Sequence, residues 1–383
     1  MYHLETTAGL LSTALKTLKP LVEARNTIPI LGAVLFEGAR ASTTNLDMMM
    51  SVGFGSIKAE GRACVAYSYL ERIIRLIDKD AEIEIDVDAE AKATLTFPGG
   101  LYRLPGFDAA DFPSLDMPAT AATIGGITDK FKAALAFTSP SISTEETRYY
   151  LNGVYFDGQD GKHGVVATDG HRLSCYPLDF DAAALSGTIL PRSAVAVLLN
   201  LPKPNTIRVG DGHRVEFQFD GVTLWTKTID GTFPDWRRIV PKRAEAKQSA
   251  IFDRLSLQAA TKRVMAAATE RGRAIQFAFG DGRTAIGAKT LDASGIEYLD
   301  GVELASPAGG EISFNAAYVL TTLEQLKHNA RVKMWVDDAG APATITGADT
   351  DAKEFIILMP MRGDSDFARN ELARLAAPLK AAA

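Results

Sequence analysis

Asp169, Gly170, His171 and Arg172 stand in a row inside HGVVATDGHRLSCYPL, residues 163–178, between two apolar runs. An acid two residues from a histidine is the composition of a general acid/base pair. Residues at i and i+2 across a glycine turn need not converge, and no second carboxylate or nucleophile motif is placed to complete a site. The competing reading is a turn against which something else binds. Other chemistry finds little support. Cys64 and Cys175 lie far apart and outside any CxxC or Cys/His spacing that would hold zinc. His3, His163, His171, His213 and His328 are scattered without the pairing of HExxH, and no GxxxxGK[ST] phosphate loop occurs. No cofactor and no metal are expected.

The elements that position the Asp169 stretch belong to a chain of 383 residues, 46% of them hydrophobic, which is more than one core usually serves. No secretory leader and no apolar run of membrane-spanning length are visible, so no membrane partner and a cytoplasmic location are expected. A net charge of −6 argues against a protein that coats nucleic acid with its whole surface, while leaving room for a locally basic face.

The chain repeats itself. ILGAVLFEG (30–38), YLNGVYFDG (150–158) and the fainter IQFAFGDG (275–282) share one strand-and-turn design. They are followed in order by VAYSYLERIIRLIDKDAEIEI (65–85), LPRSAVAVLLNLPKPNTIRV (190–209) and FNAAYVLTTLEQLKHNARVKM (314–334), each reading as an amphipathic helix, a turn and an alternating strand. An apolar residue followed by proline closes each unit at Pro113, Pro234 and Pro360, so the repeat is 120 to 126 residues long. Each unit also opens on a helix, at 8–24, 128–138 and 253–269. In the first of these Leu11, Ala14, Leu15, Leu18 and Val22 recur at helical spacing, and Pro20 predicts a stop near the last turn. Alternation in AEIEIDVD (81–88) and VEFQF (215–219) predicts antiparallel sheet with one buried face. The fold class is therefore α+β, with three repeated domains of two helices on antiparallel sheets. Boundaries near 121 and 247 give domains 1–121, 122–247 and 248–362 and an extension 363–383.

Charge is unevenly placed. The helical stretches 8–25, 66–80, 128–138, 191–203, 253–265 and 315–328 carry a net +7 in this chain of −6. Helices gathered on one surface would make it basic, and Lys16, Lys19, Arg192 and Lys203 are the cations expected to meet phosphate there without reading sequence.

These features resemble the bacterial DNA polymerase III beta subunit, the replicative sliding clamp. TIPILG (27–32), AADFPSLD (109–116), TRYYLNG (147–153), VATDGHRLS (166–174), DGTFPDWRRIVP (230–241), SFNAAYVL (313–320) and MPMR (359–362) carry the resemblance, in the family's order. It implies a head-to-tail homodimeric ring of six such domains around double-stranded DNA. It also implies no chemistry, and as partners DNA polymerase III, the clamp loader and other proteins bearing a clamp-binding motif. Leu151, Thr168, Gly170, His171, Arg172, Leu173, Pro234, Arg238, Ile239, Asn315, Tyr318, Leu358, Met359, Pro360, Met361 and Arg362 match the family's peptide-binding pocket. Apolar side chains there make a groove, and His171, Arg172, Arg238 and Asn315 its polar anchors. Arg25 matches a position that touches duplex DNA. Tyr102, Leu104, Ala266 and Ala267 match the ring interface.

Four features depart from the family. Gly272 falls where a large apolar residue is common, and the small Ala266 and Ala267 stand where bulky interface residues occur. Glu145 and Glu146 in STEET (143–147) would repel phosphate. The tail after MPMR predicts a short amphipathic helix, frayed or, through RLAAPL (374–379), lying in the peptide pocket. Two other readings remain: an enzyme using Asp169 and His171, and a repeat scaffold that binds only proteins. In the first repeat Thr44-Asn45-Leu46-Asp47 occupies the place of Thr168-Asp169-Gly170-His171. A shared frame makes Asp169-Gly170 a structural turn and leaves His171 and Arg172 as the functional pair.

Overall fold

The computed structural model describes residues 1–23, 27–115, 117, 121–267, 274–280, 283–290, 292–299, 302–304, 310–348, 353–362 and 366–376. Its α-helices are α1 (Ala8–Leu18), α2 (Tyr67–Ile74), α3 (Lys130–Thr138), α4 (Arg192–Asn200), α5 (Arg254–Ala267), α6 (Ala316–Gln325) and α7 (Phe367–Ala376). The first six fall two to a repeat, as the periodicity predicts. Thr7 caps α1 by accepting from the Leu10 N–H at 3.4 Å, and Leu11, Ala14, Leu15 and Leu18 are buried while Lys16 is exposed. Pro20 stops the helix as expected, within the 3-10 turn Lys19–Leu21.

By packing the chain forms two compact units, Met1–Asp129 with Phe180–Asp230, and Lys130–Asp179 with Gly231–Ala383. The middle repeat is shared between them because its two sheet pieces each continue a neighbour's sheet. In the first unit the last strand of repeat two, Val222–Lys227, pairs antiparallel with Met48–Gly53 of repeat one, Leu224 opposite Met50. In the second unit the last strand of repeat three, Phe355–Leu358, pairs antiparallel with Arg172–Pro177 of repeat two, Leu173 opposite Ile357. One rule thus operates twice: the strand after the Thr44 or Thr168 turn receives the closing strand of the following repeat.

The corresponding strands at the two ends of the pattern have an open edge. Gly100–Phe107 pairs with Lys92–Phe97 along its length, but on its other edge only Gly106 and Phe107 meet a strand among the described residues. Ser294–Leu299 is the outer strand of a four-stranded sheet that continues through Arg283–Lys289, Ala274–Gly280 and Gly310–Asn315. That sheet has two faces. Ile275, Phe277 and Ile286 join Leu257, Ala260 and Val264 of α5 in the core, where Phe252, Phe277 and Phe314 are fully buried. Burying each such ring contributes about 1.5–3 kcal/mol. Ala278 and Ala285 face the other way, against Ala368 and Leu372 of α7. The tail therefore forms the amphipathic helix predicted for it, with Ala368 and Leu372 packed on the sheet, while the side chains of Leu375 and Ala376 in RLAAPL lie outside the described residues. Residues 377–379 of RLAAPL lie outside the described residues.

Register also explains one polar cluster in the first unit. Cross-strand pairing sets His3 opposite Asp86 and Glu5 opposite Glu84 on one face. The His3 ring reaches Asp86 at 2.8 Å through Nδ1 and Glu5 at 2.9 Å through Nε2. The ligand atoms of His3, Glu84 and Asp86 lie within 4.8 Å of one another, but both ring nitrogens already face carboxylates. The hydrogen bond to Asp86, then that to Glu5, raises the His3 pKa above its ordinary value. A raised histidine pKa stabilises the fold below the unfolded value of about 6.5, and the contribution is lost as pH rises through the folded value. The melting temperature of the native chain should therefore exceed that of His3→Gln below about pH 6.5, and the gap should close as pH rises beyond the raised folded value. A gap that widens with pH would contradict the assignment.

Candidate functional site

The Asp169 turn is wired from within. Asp169 Oδ1 accepts from the His171 and Arg172 N–H groups, each at 2.9 Å, and Oδ2 accepts from Arg172 Nε at 3.0 Å. Thr168 Oγ1 donates to the Arg172 carbonyl at 2.7 Å and accepts from the Gly170 N–H at 3.1 Å. Gly170 has φ +88°, the left-handed region that glycine enters without strain. Asp169 thus has both carboxylate oxygens engaged by its own turn and is not a free base for His171.

The first repeat builds the same turn with the same four bonds to the main chain. Asn45 Oδ1 accepts from the Asp47 N–H at 3.2 Å and the Met48 N–H at 2.8 Å. Thr44 Oγ1 donates to the Met48 carbonyl at 2.9 Å and accepts from the Leu46 N–H at 3.1 Å. Leu46 takes φ +73° in the place of Gly170. A leucine there is strained by about 1–2 kcal/mol, so the side-chain bonds, and not glycine alone, dictate the turn.

Gly170 has a further reason to lack a side chain. A Cβ on it would stand 2.6 Å from Arg148 Nη1. Arg148 donates to Glu145 through Nε at 2.7 Å and Nη2 at 2.6 Å, a bidentate pair. That bond holds the Glu145 carboxyl below the usual range, so the charge of Glu145 is matched locally and the expected repulsion of phosphate falls to Glu146. Neither residue type nor spacing marks Arg148 as a member of this surface, although it stands within the TRYYLNG motif.

Around the turn, the predicted groove residues divide by depth. Leu151, Thr168, Leu173 and Leu358 are buried and act as its floor or frame. Pro234, Arg238, Ile239, Met361, Arg362, Gly170 and His171 are exposed, while Met359, Pro360, Asn315 and Tyr318 are half-buried. The MPMR segment is fixed at two points: the Met359 N–H donates to the His171 carbonyl at 2.9 Å and the Met361 N–H to the Ser313 carbonyl at 2.8 Å. Tyr318 of α6 stacks on His171, with ring centroids 6.1 Å apart. Phe233 stacks on Tyr155 at 4.7 Å and so fixes the approach to Pro234.

Two expected anchors have other duties. Arg172 is largely buried, its side chain 12% exposed. It holds Asp169, donates to the Pro140 carbonyl and lies 4.7 Å above the Tyr318 ring, so it positions the wall and does not reach outward. Asn315 accepts from the Ala317 N–H at 3.0 Å and caps α6. Arg238, exposed and 3.0 Å from Asp235, His171 and Arg362 are the outward polar groups. A separate cleft of about 320 Å3, between α3 and α6, is lined by Phe137, Pro140, Tyr176 and Gln325 and shares no predicted groove residue.

The cations of the first unit gather more closely than spacing predicts. Lys16 and Lys19 line one cleft with Arg75, which follows α2, together with Ser12 and Glu71. Arg192 is exposed at the start of α4, and Lys203 donates to the Ile127 carbonyl at 3.1 Å. Some of the counted helix charge is neutralised: Arg263 forms a bidentate pair with Glu297 at 2.7 and 2.9 Å, and Lys130 lies 3.3 Å from Asp179. Arg25 and Gly272 lie outside the described residues. Tyr102 is exposed and stacks on Phe97 at 5.8 Å, whereas Leu104 is buried within its own unit. Ala266 is exposed, and the side chain of Ala267 lies outside the described residues. Among the described residues no helix is long and apolar enough to cross a membrane.

Comparison with known proteins agrees along nearly the whole chain. Family models of the DNA polymerase III beta subunit match residues 5–116 (N-terminal domain), 127–235 (central domain) and 237–362 (C-terminal domain). The beta sliding clamp of Caulobacter vibrioides is 31% identical over 365 residues, covering 91% of this chain and 96% of that protein. That of Escherichia coli K12 is 28% identical over 362 residues, 90% of this chain and 97% of its own. The crystal structure of the Bartonella birtlesii sliding clamp bound to griselimycin superposes with a TM-score of 0.85 at 30% identity. It covers 94% of this chain and 100% of that one.

Proposed function

The chain belongs to the bacterial DNA polymerase III beta subunits, the sliding clamps, and on that premise we propose where its docking groove, its phosphate-facing surface and its ring boundary lie. It is a processivity factor: a homodimer that encircles duplex DNA, is placed there by the clamp loader and tethers DNA polymerase III. We read it as a protein without catalysis of its own, acting in the cytoplasm. The three domains take the limits 1–121, 122–247 and 248–362, with 363–383 as an extension.

Strand pairing carries the ring. The first and second repeats each receive the closing strand of the next, at Met48–Gly53 and at Arg172–Pro177. By the same rule the third repeat's strand Ser294–Leu299, the outer strand of its sheet among the described residues, takes the closing strand Gly100–Phe107 of another copy. Two copies satisfy both open edges, and closure leaves neither exposed. Tyr102, Leu104, Ala266 and Ala267 lie at or beside that boundary.

The groove is built on His171, Tyr318, Pro234, Arg238, Ile239 and the MPMR segment, over a floor of Leu151, Leu173 and Leu358. It supplies exposed apolar side chains beside a stacked histidine and an exposed guanidinium, which suits a short peptide with two or three apolar anchors. Lys16, Lys19, Arg75, Arg192, Lys203 and, by family, Arg25 meet phosphate without reading bases. Methyl-labelled Ile239 and Met361 should shift when a peptide of this kind is titrated in, while Ile345 in the core should not. Unmoved signals at Ile239 and Met361 with saturable binding would place the groove elsewhere.

A further inference from the structure

We propose that α7 is part of the ring boundary, where it lies against the partner subunit's Leu101 and Arg103. The inference rests on the clamp reading above and concerns a segment that the family models, ending at residue 362, do not reach.

The sheet beneath α7 is shaped for it. Gly287 leaves room for Phe367, whose ring would stand 3.0 Å from a Cβ there, and Leu372 lies over Gly280. Gln276 Oε1 accepts from the Ala368 N–H at 2.7 Å, which satisfies one of the donors exposed at the start of the helix. Lys289 lies 5.9 Å from the Phe367 ring and Arg369 lies 3.5 Å from Glu311. On the open edge strand Ile296 and Tyr298 pack against the cluster that Ala368 and Leu372 form with Ala278 and Ala285, and on α7 itself Arg374 donates to Glu371 at 2.7 Å.

Alternation then decides which partner residues meet it. On Ser294–Leu299, Ile296 and Tyr298 face α7, while Glu297 faces α5 through Arg263 and Leu299 joins the core. On Gly100–Phe107, Leu104 is buried in its own unit, so Tyr102 shares its face, and Leu101 and Arg103 take the opposite one. Joining the two strands into one sheet with both cores on the same side sets Leu101 and Arg103 on the side of α7. Leu101 is an exposed apolar side chain there, 55% accessible, and needs cover. The outer side of the boundary, with Ile296, Tyr298 and the Glu371 carboxylate that Arg374 already pairs, supplies apolar contact for Leu101 and an acid that Arg103 of the partner subunit can share.

Sedimentation of the full chain over a concentration range tests this with Glu371→Arg, Arg103→Glu and the two combined. Each single change should raise the dimer dissociation constant about tenfold, and the combination should recover most of it. Gly287→Val, which pushes Phe367 off the sheet without touching the boundary directly, should weaken the dimer in the same direction. Singles that match the native chain, or a combination no better than its singles, overturn the proposal. A native chain that is monomeric throughout and slips equally from circular and linear DNA overturns the clamp reading itself, which is a different result.

Discussion

Arg172→Ala should lower affinity for a groove-binding peptide by about tenfold to a hundredfold and destabilise the second unit, although Arg172 extends nothing into the groove. Its guanidinium joins Asp169, the Pro140 carbonyl and the Tyr318 ring in one small volume, with the Asp169 side chain only 15% exposed. Removing it leaves a largely buried carboxylate and a carbonyl short of a donor, at a cost of about 2–4 kcal/mol. The wall then loses its support, since Tyr318 stacks on His171 and the His171 carbonyl holds Met359. Arg172→Lys should recover only part, because a single ammonium cannot match the fork that reaches two acceptors. His171→Ala is the informative contrast: affinity falls while the melting temperature holds, because that side chain is exposed. Calorimetric titration with parallel thermal melts checks all three, and native affinity in Arg172→Ala would contradict the positioning role.

The combination Lys16→Glu, Lys19→Glu and Arg75→Glu should weaken binding to a short duplex at low salt by at least about tenfold. The slope of log affinity against log salt should flatten by about 0.9 for each phosphate that is no longer neutralised. The three side chains line one cleft, so reversing them replaces a concentrated positive field with a negative one. All are exposed, Lys16 on α1, Lys19 in the turn that follows it and Arg75 just after α2, so the fold should be retained. Fluorescence anisotropy across a salt series measures both quantities. An unchanged slope would remove this surface from the DNA-facing set.

Much of this was legible in the chain because it is written three times. The Thr168 turn could be separated from its function since Thr44 to Asp47 repeat its frame without His171 or Arg172. What spacing hid was the force of the side-chain bonds, which drive even Leu46 to φ +73°. Arg75 was hidden because it belongs to a helical stretch of zero net charge, and only the packing of α2 beside α1 brings it to Lys16 and Lys19. The role of Arg172 was obscured for a related reason. Residue type marks an arginine as an outward anchor, and only the positions of Pro140 and Tyr318 turn it inward. The tail's amphipathic pattern announced a helix, but its resting place depended on a distant glycine, Gly287, that leaves room for Phe367.

Ring closure is tested most directly by topology. The native chain, loaded by the clamp loader onto nicked circular DNA, should remain bound through gel filtration at high salt. Cutting the circle once should release it, because a ring slides off an end while local contacts stay where they are. Equal loss from circular and linear DNA, or retention after cutting, would contradict a closed ring around the duplex.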